Sequence, residues 1–487
     1  MGVLDTPDAA GGHDHLQLAP GEIEELRQDW ERHRTVFHAA DLVDAAFVAG
    51  KPEVALDAAS FLSHNGVTEI SRQLAGQILM PADKSTTIVD PPDIQPSERY
   101  QRIAHGKRHL RMYPRDPIRW VDLARDYSIL GQNGPAGEAL RRALALAPDS
   151  RFVLRSAARF FLHTDEAEQA HDLLRRVTRT NADPWLLAAE IVAGQIAGRT
   201  SRHIKQGISL ITSGRHHPRH ISELAGAIGT LEHEHGDRRG MRRLFSIALE
   251  DPTENTLAQA NWMARHVRSF ERPRDQHEVP RAYEANAWEA VQEGRYSDAL
   301  DLSWKWLLDE PFSTRPAFFG SWVAATALEK LETAIKFMQV IEVAHPTDPR
   351  VLTQLIFCNA ALGRLSLAEE LLAKLPLAIS SHPDAGPAYE WEILTSADLG
   401  LIAYRRGQPE TARLHYRNAI AIAQSRDSKE AAAVAMIYQA REEIRAGTAE
   451  STQFLQAAAK VLDVFTPSIR PAYEALLYSA VQVSLYR

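Results

Sequence analysis

The chain has 487 residues, 45% hydrophobic and 24% charged, with a formal net charge of −8. This is ordinary globular composition and excludes a fibrous or low-complexity chain. A single cysteine, Cys358, excludes an intramolecular disulfide and a cysteine-based zinc site and fits a reducing cytosol.

Residues 1–18 are polar and acidic and read as a flexible tail. They lack the apolar run of a secretory signal, and no segment has the length needed to span a bilayer, so a soluble, cytoplasmic chain is expected. A helix is expected from near Pro20 through Glu22, Leu26, Trp30 and Phe37. Gly50 and Ala55 suggest a degenerate helix pair within 19–80, followed by a further helix over 70–80. Pro81, Pro91, Pro92 and Pro96 then forbid helix and mark a linker over 81–98.

Self-similarity starts in the next segment, 99–270. Trp120, Tyr127, Gly131, Ala136, Ala143 and Pro148 are followed 34 residues later by Leu154, Phe161, Asp165, Ala170, Val177 and Ala182. A helix near 256–267 has no evident partner, and 271–280 is a linker where the phase breaks. The frame resets at Arg281. Within 281–487, Gly294, Ala299 and Pro311 form one unit, and Ala334 and Pro346 follow 35 residues after the last two. Gly363 and Ala368 come next, and Gly407 and Ala412 repeat that pair 44 residues on. The extra residues are assigned to a Ser/Pro/Gly-rich loop over 376–387. An apolar helix over 473–486 is expected to cap the array.

Two short helices and a tight turn occupy about 34 residues. Ala136, Ala170, Ala299, Ala334, Ala368 and Ala412 would let paired helices approach closely. Gly131, Gly294, Gly363 and Gly407 would serve the turn, where positive φ is cheap. Pro148, Pro311 and Pro346 would separate one unit from the next.

The run from Trp120 through Tyr127 to Gly131, then Ala136, Ala143 and Pro148, resembles the tetratricopeptide repeat family. The resemblance implies an all-α fold, an α-α superhelix or solenoid of about ten helix-pair repeats. It also implies binding rather than catalysis, but it names no partner, because the family binds many unrelated ones. Some members clamp the C-terminal carboxylate of chaperone peptides with Asn and Lys on successive first helices. Here Arg125 and Arg159 stand where the Asn should fall, which argues against that clamp.

Charge is strongly segregated. Residues 1–66 carry 4 Lys/Arg against 12 Asp/Glu, residues 100–245 carry 24 against 15, and residues 282–487 carry 19 against 25. The middle is basic and both ends are acidic, which creates a field able to select partners. The resemblance places Arg125, Arg155 and Arg159 on first helices, which line the concave face in this family. Arg238, Arg239, Arg242 and Arg243 are further basic candidates. One reading is an acidic-partner surface and the other a solvated arginine-rich face. In the second case the contact would move to the C-terminal half, around Phe319, Val323 and Phe357. The acidic 1–66 segment could instead fold back and mask the basic surface.

Other constellations read as structural. His216, His217 and His220, and His233 with His235, are taken as solvated, not metal-binding, since no His-Glu-x-x-His helix exists. Glu369-Glu370 and Glu442-Glu443 are taken as surface charges. Cys358 lies in an apolar run and reads as core. Trp304 and Trp306 sit about 200° apart on one helix, so one of them is expected to be exposed. No phosphate loop or nucleophile elbow occurs, so no enzyme, cofactor or metal is expected. The expected function is a protein-binding scaffold or adaptor for another protein or peptide, an acidic one if the basic surface is used, and with no membrane. The alternative is a nucleic-acid-associated or sensor subunit of a multi-protein bacterial system, using the basic 100–245 surface.

Overall fold

The computed structural model describes residues 22–66, 69–79, 96–267, 270, 279, 281–382, 386–467 and 469–485. The expected tail 1–18, most of the linker 81–98 and most of 271–280 lie outside them. Among the described residues there are twenty-five α-helices and no strand.

The first four are α1 (Glu22–Arg32), α2 (Val36–Val48), α3 (Leu56–Asn65) and α4 (Glu69–Leu79). Then come α5 (Pro96–Met112), α6 (Pro117–Ile129), α7 (Asn133–Leu146), α8 (Arg151–His163) and α9 (Ala167–Arg176). They are followed by α10 (Pro184–Ile196), α11 (Ile204–Thr212), α12 (Pro218–Glu234), α13 (Arg238–Ala248) and α14 (Glu254–His266). The C-terminal half holds α15 (Tyr283–Gln292), α16 (Tyr296–Asp309), α17 (Arg315–Trp322), α18 (Leu331–Glu342), α19 (Pro349–Ala361) and α20 (Leu365–Ser381). It ends with α21 (Ala388–Arg405), α22 (Pro409–Ser425), α23 (Lys429–Ala446), α24 (Ser451–Val461) and α25 (Arg470–Leu485). These helices gather into two compact units. The first holds most of the chain before Pro280, and the second holds residues 281–487 with the first half of α5 and residues 125–136.

Within each unit the architecture is the stacked helix pair. In the first, α8, α10, α12 and α14 pack in succession, and α9, α11 and α13 each lie against the helix of their own pair. In the second, α15/α16, α17/α18, α19/α20, α21/α22 and α23/α24 repeat the arrangement. The repeat residues explain it. Ala136, Ala170, Ala299, Ala334, Ala368 and Ala412 are all fully buried, and Gly131, Gly294, Gly363 and Gly407 all have φ between +68° and +79°. Asp165, the polar residue at the glycine position of its unit, adopts φ +59°, a region Asp tolerates better than most side chains. Tyr127 is buried and Trp120 half-buried, its indole N–H donating to the Pro114 carbonyl at 2.9 Å. Pro148 is exposed in the turn before α8.

Ala334 sits on α18 in a core with Val323, Phe337 and Met338. Ala334→Leu should therefore overpack that contact and cost about 1–3 kcal/mol, read as a lowered melting temperature. An unchanged melting curve would show that the pair does not close at this residue.

Four local expectations need correction. Residues 33–35 break the first expected helix, and Thr35 caps α2 by accepting from the His38 N–H. α5 starts at Pro96, inside the expected linker, because a proline is tolerated in the first turn of a helix, where its missing N–H has no intrahelical partner. α14 packs on α12 of the preceding pair, and no second helix pairs with it among the described residues. α20 runs through Pro376 to Ser381 instead of ending in a loop. Pro376 is exposed, where the carbonyl it frees can bond water. Trp304 and Trp306 are both buried. Trp304 stacks on Phe337 of α18 at 3.7 Å, and Trp306 meets Phe319 of α17 at 6.1 Å, so both sides of α16 are covered.

The second unit contains a π-turn at Val323–Ala327, after α17. The Val323 carbonyl accepts from Leu328 at 3.2 Å and the Ala324 carbonyl from Lys330 at 2.7 Å. The widened turn puts Glu329 at φ +51°, where it pairs with Arg445 of α23 and accepts from Ser479 of α25. Thr326 and Tyr438 meet through their hydroxyls at 3.1 Å. The early pairs of this unit thus touch its last helices.

Candidate partner-binding surfaces

The arginines of the basic middle divide into two groups. Most of those on first helices make contacts inside the chain. Arg151, at the start of α8, is 3% exposed and lies between Asp44 of α2 at 2.9 Å and Asp183 at 3.2 Å. Arg155 bonds Glu223 of α12 at 2.9 Å and lies 3.9 Å over the Trp185 ring of α10. Arg119 is buried on Asp122 at 2.8 Å. Arg125 is half-buried and donates to the Asp309 carbonyl at 3.2 Å. Arg159 is exposed on α8. Of the three first-helix candidates, then, Arg125 and Arg155 already serve intramolecular contacts. No local pattern signals this, because the Glu223 carboxylate and the Asp309 carbonyl that they bond lie 68 and 184 residues away.

The second group lies on the second helices and faces outward. Arg141 and Arg142 of α7, Arg175 and Arg176 of α9, and Arg238, Arg239, Arg242 and Arg243 of α13 are all exposed. On α9 the charge is balanced, since Asp172 faces both Arg175 and Arg176. Helix α13 carries no acid of its own, and its Arg238, Arg239 and Arg243 form no ion pair among the described residues.

The acidic N-terminal segment does fold back, by way of α2. Asp44 reaches Arg151, and Asp41 accepts from the Ser150 hydroxyl at 3.0 Å, next to the start of α8. Arg219 of α12 lies 4.7 Å over Phe47. Gly50, at φ +66°, leaves room for the His217 ring, which lies 2.6 Å from where a β-carbon would stand. The contacted ends of α8 and α12 are N-termini, where the helix dipole favours negative charge. Burial pushes the Asp41 carboxyl up to about 6. At Asp183 burial would raise the carboxyl, but Arg151 and then His220 outweigh it and hold it below the usual range.

The histidines expected to be solvated are not all so. His220 is 2% exposed and 3.7 Å from Asp183, and His216 is half-buried, its pKa lowered to about 4 by burial and by neighbouring His220. Among the described residues no group of three or more His, Cys, Asp or Glu could hold a metal ion. No helix among them is long and apolar enough to cross a membrane.

The C-terminal contact residues fare differently from one another. Phe319 and Val323 are buried by α16 and α18, so neither offers surface to a partner. Phe357 is half-buried, edge-on to Tyr438 at 5.1 Å and with Arg441 5.7 Å from its ring. Glu442 and Glu443, read as surface charges, are 2% and 0% exposed. Helix α23 is surrounded by α21, α22, α24 and α25, so adjacent positions are buried on different sides. Arg405 and Arg441 contact Glu442, while Arg413, Tyr404 and Thr448 bond Glu443. Asp398 of α21 is buried nearby, and burial holds its carboxyl well above the usual range. Cys358 is fully buried, and burial pushes its thiol up to about 12, consistent with an inert core residue.

No protein-family model and no curated protein matches the chain. Solved structures do. The Cut9 and Hcn1 hetero-tetramer of the APC/C matches at 14% identity over 94% of this chain and 92% of that one, with a TM-score of 0.31. Human IFIT1, solved as a dimer with PPP-AAAA, matches at 13% over 97% and 95%, with a TM-score of 0.32. Yeast Tom70 matches at 9% over 93% and 96%, with a TM-score of 0.29. Superpositions this loose carry no argument of their own. The fold rests on the chain's own geometry, which among the described residues is all-helical and built of stacked helix pairs.

Proposed function

We propose that the chain is a non-catalytic scaffold that holds another macromolecule on its stacked helix pairs, with a protein or peptide as the partner. The observation that carries this reading is the sorting of charge. Arg151 and Arg155 on first helix α8 are paired with acids inside the chain, while Arg238, Arg239 and Arg243 on second helix α13 point outward without an ion pair among the described residues. A folded core has little use for such an arrangement, whereas a charged partner has. A role beside nucleic acid is the second reading. It is favoured by the exposed Tyr113, which stands next to the exposed Arg108 and Arg111 at the end of α5.

The test uses the full chain as immobilised bait in extract of its native host, with salt elution. Each eluted partner is then purified and its affinity measured against ionic strength. The expected result is a partner of defined stoichiometry whose affinity falls steeply as salt shortens the Debye length to about 8 Å and below. If no purified candidate binds the wild-type chain, or if one binds without salt dependence, the reading is wrong.

A further inference from the structure

Helix α13 carries Arg238, Arg239, Arg242 and Arg243 in its first two turns. Three physical rules disfavour that placement. Cations at a helix N-terminus oppose the macrodipole, at about 0.3–1 kcal/mol each in the first turn. Arg238 with Arg242, and Arg239 with Arg243, are like charges four residues apart, costing about 0.2–0.5 kcal/mol per pair. Gly240, between them, is a weak helix former. The only cap is Asp237, whose carboxylate accepts from the Arg239 and Gly240 N–H groups at 3.0 Å each. By contrast, the exposed Lys107, Arg108 and Arg111 lie in the second half of α5, towards the end where the dipole favours cations.

The rest of α13 is well made. Met241, Leu244, Phe245 and Ala248 are buried on one arc. The four arginines and Ser246 occupy the opposite, exposed arc. Among the described residues Arg238, Arg239 and Arg243 form no ion pair and no side-chain hydrogen bond. Residues 199–247 carry nine Lys/Arg against four Asp/Glu, so the field around the helix is positive as well.

We propose that this arginine face of α13 is a docking surface for an acidic protein segment rich in glutamate or aspartate. The proposal rests on the scaffold reading and gives it a place and a partner chemistry. Arginine suits carboxylates because its planar fork bonds them in pairs. A short acidic segment is favoured over a nucleic acid for two reasons. The arginine face spans less than one helix of 11 residues, about 16 Å long. A chain with a net charge of −8 repels a long phosphate polymer more than it repels a short peptide matched to one basic face.

The test uses the full chain, a fluorescein-labelled peptide of about a dozen residues with half of them glutamate, matched to the helix length, and a labelled DNA duplex as competitor. The variant is R238E/R239E/R243E, with R141E/R142E as a charge-matched control. The wild type should bind the peptide more tightly than the duplex. The triple variant should lose about tenfold or more in affinity while the control keeps most of it. The melting temperature of the triple variant should hold or rise, because glutamates at a helix N-terminus are favourable. A fall in melting temperature would assign the arginines to stability and overturn the proposal. So would preference for the duplex, absence of peptide binding to the wild type, or equal binding by the triple variant. If the triple variant still binds the native partner with full affinity, the α13 assignment fails while the scaffold reading stands. If the wild type has no native partner at all, the scaffold reading itself fails.

Discussion

Glu443→Gln is expected to destabilise the second unit by about 3–5 kcal/mol, the range for breaking a buried ion pair from one side. Glu443 is fully buried and accepts from Arg413 through Nε at 2.6 Å and Nη2 at 2.9 Å, and also from Tyr404 and Thr448. A neutral amide keeps the shape but withdraws the charge that Arg413 faces. The other acids on Arg413, Glu410 and Glu450, are exposed and do not replace it. Burial alone would raise the Glu443 carboxyl, but the bonds from Arg413, Thr448 and Tyr404 hold it below its ordinary value. A depressed carboxyl contributes stability above its unfolded pKa of about 4.3 and loses it as pH falls through the folded value. The cost of the substitution should therefore be full at pH 7 and shrink in acid. Urea unfolding at both pH values checks it, and a loss below about 1 kcal/mol at pH 7 would contradict it. Removing both charges, with Arg413→Met and Glu443→Met, should cost less than the sum of the single changes, because neither partner is then left buried alone.

The same helix shows where sequence reasoning stops. Ala136, Ala170 and Ala412, and the turns at Gly131 and Gly407, are legible because helix pairing is local, and a 34-residue frame records it directly. Glu442 and Glu443 are illegible because adjacent residues point to different sides of a helix, and only tertiary packing makes both sides interior. Trp304 and Trp306 mislead for the same reason. The candidate surface was legible as a composition but not as a location. The sequence carries the arginine excess of 100–245, yet Arg151 and Arg155 are neutralised by acids distant in the chain, while Arg238, Arg239 and Arg243 of α13 have no ion pair among the described residues. The fold-back of α2 could be posed from charge alone as one possibility, but its contacts bridge 107 and 109 residues, and no local pattern encodes them.

Arg151→Met tests that fold-back. Arg151 stands between Asp44 and Asp183, all three of them at most 7% exposed. Methionine fills similar volume but leaves Asp44 without its cation and Asp183 with only Arg179 and His220 beside it, which should cost about 3–5 kcal/mol at pH 7. The pH dependence carries the diagnosis. In the wild type Asp183 is held low, so its contribution is present at neutral pH and lost only in strong acid. Without Arg151 its largest stabilising influence is gone, and burial then favours the protonated acid. The variant should recover stability as pH falls from 7 towards 5, where that proton binds. Asp41 adds a term of the same sign in both proteins. Its folded pKa of about 6 lies above the unfolded one, so its contribution is present in acid and lost as pH rises through 6, on the order of 1–3 kcal/mol. Asp41→Asn should remove that term and leave the Arg151 effect. Melting temperatures at pH 5 and pH 7 for the wild type, each single variant and the double variant separate the two. Limited proteolysis gives an independent readout, since loss of the Asp44–Arg151–Asp183 bridge should expose the segment carrying α1 to α4 to earlier cleavage. An Arg151→Met variant equally weakened at both pH values, with unchanged cleavage, would mean that α2 is held by apolar packing alone.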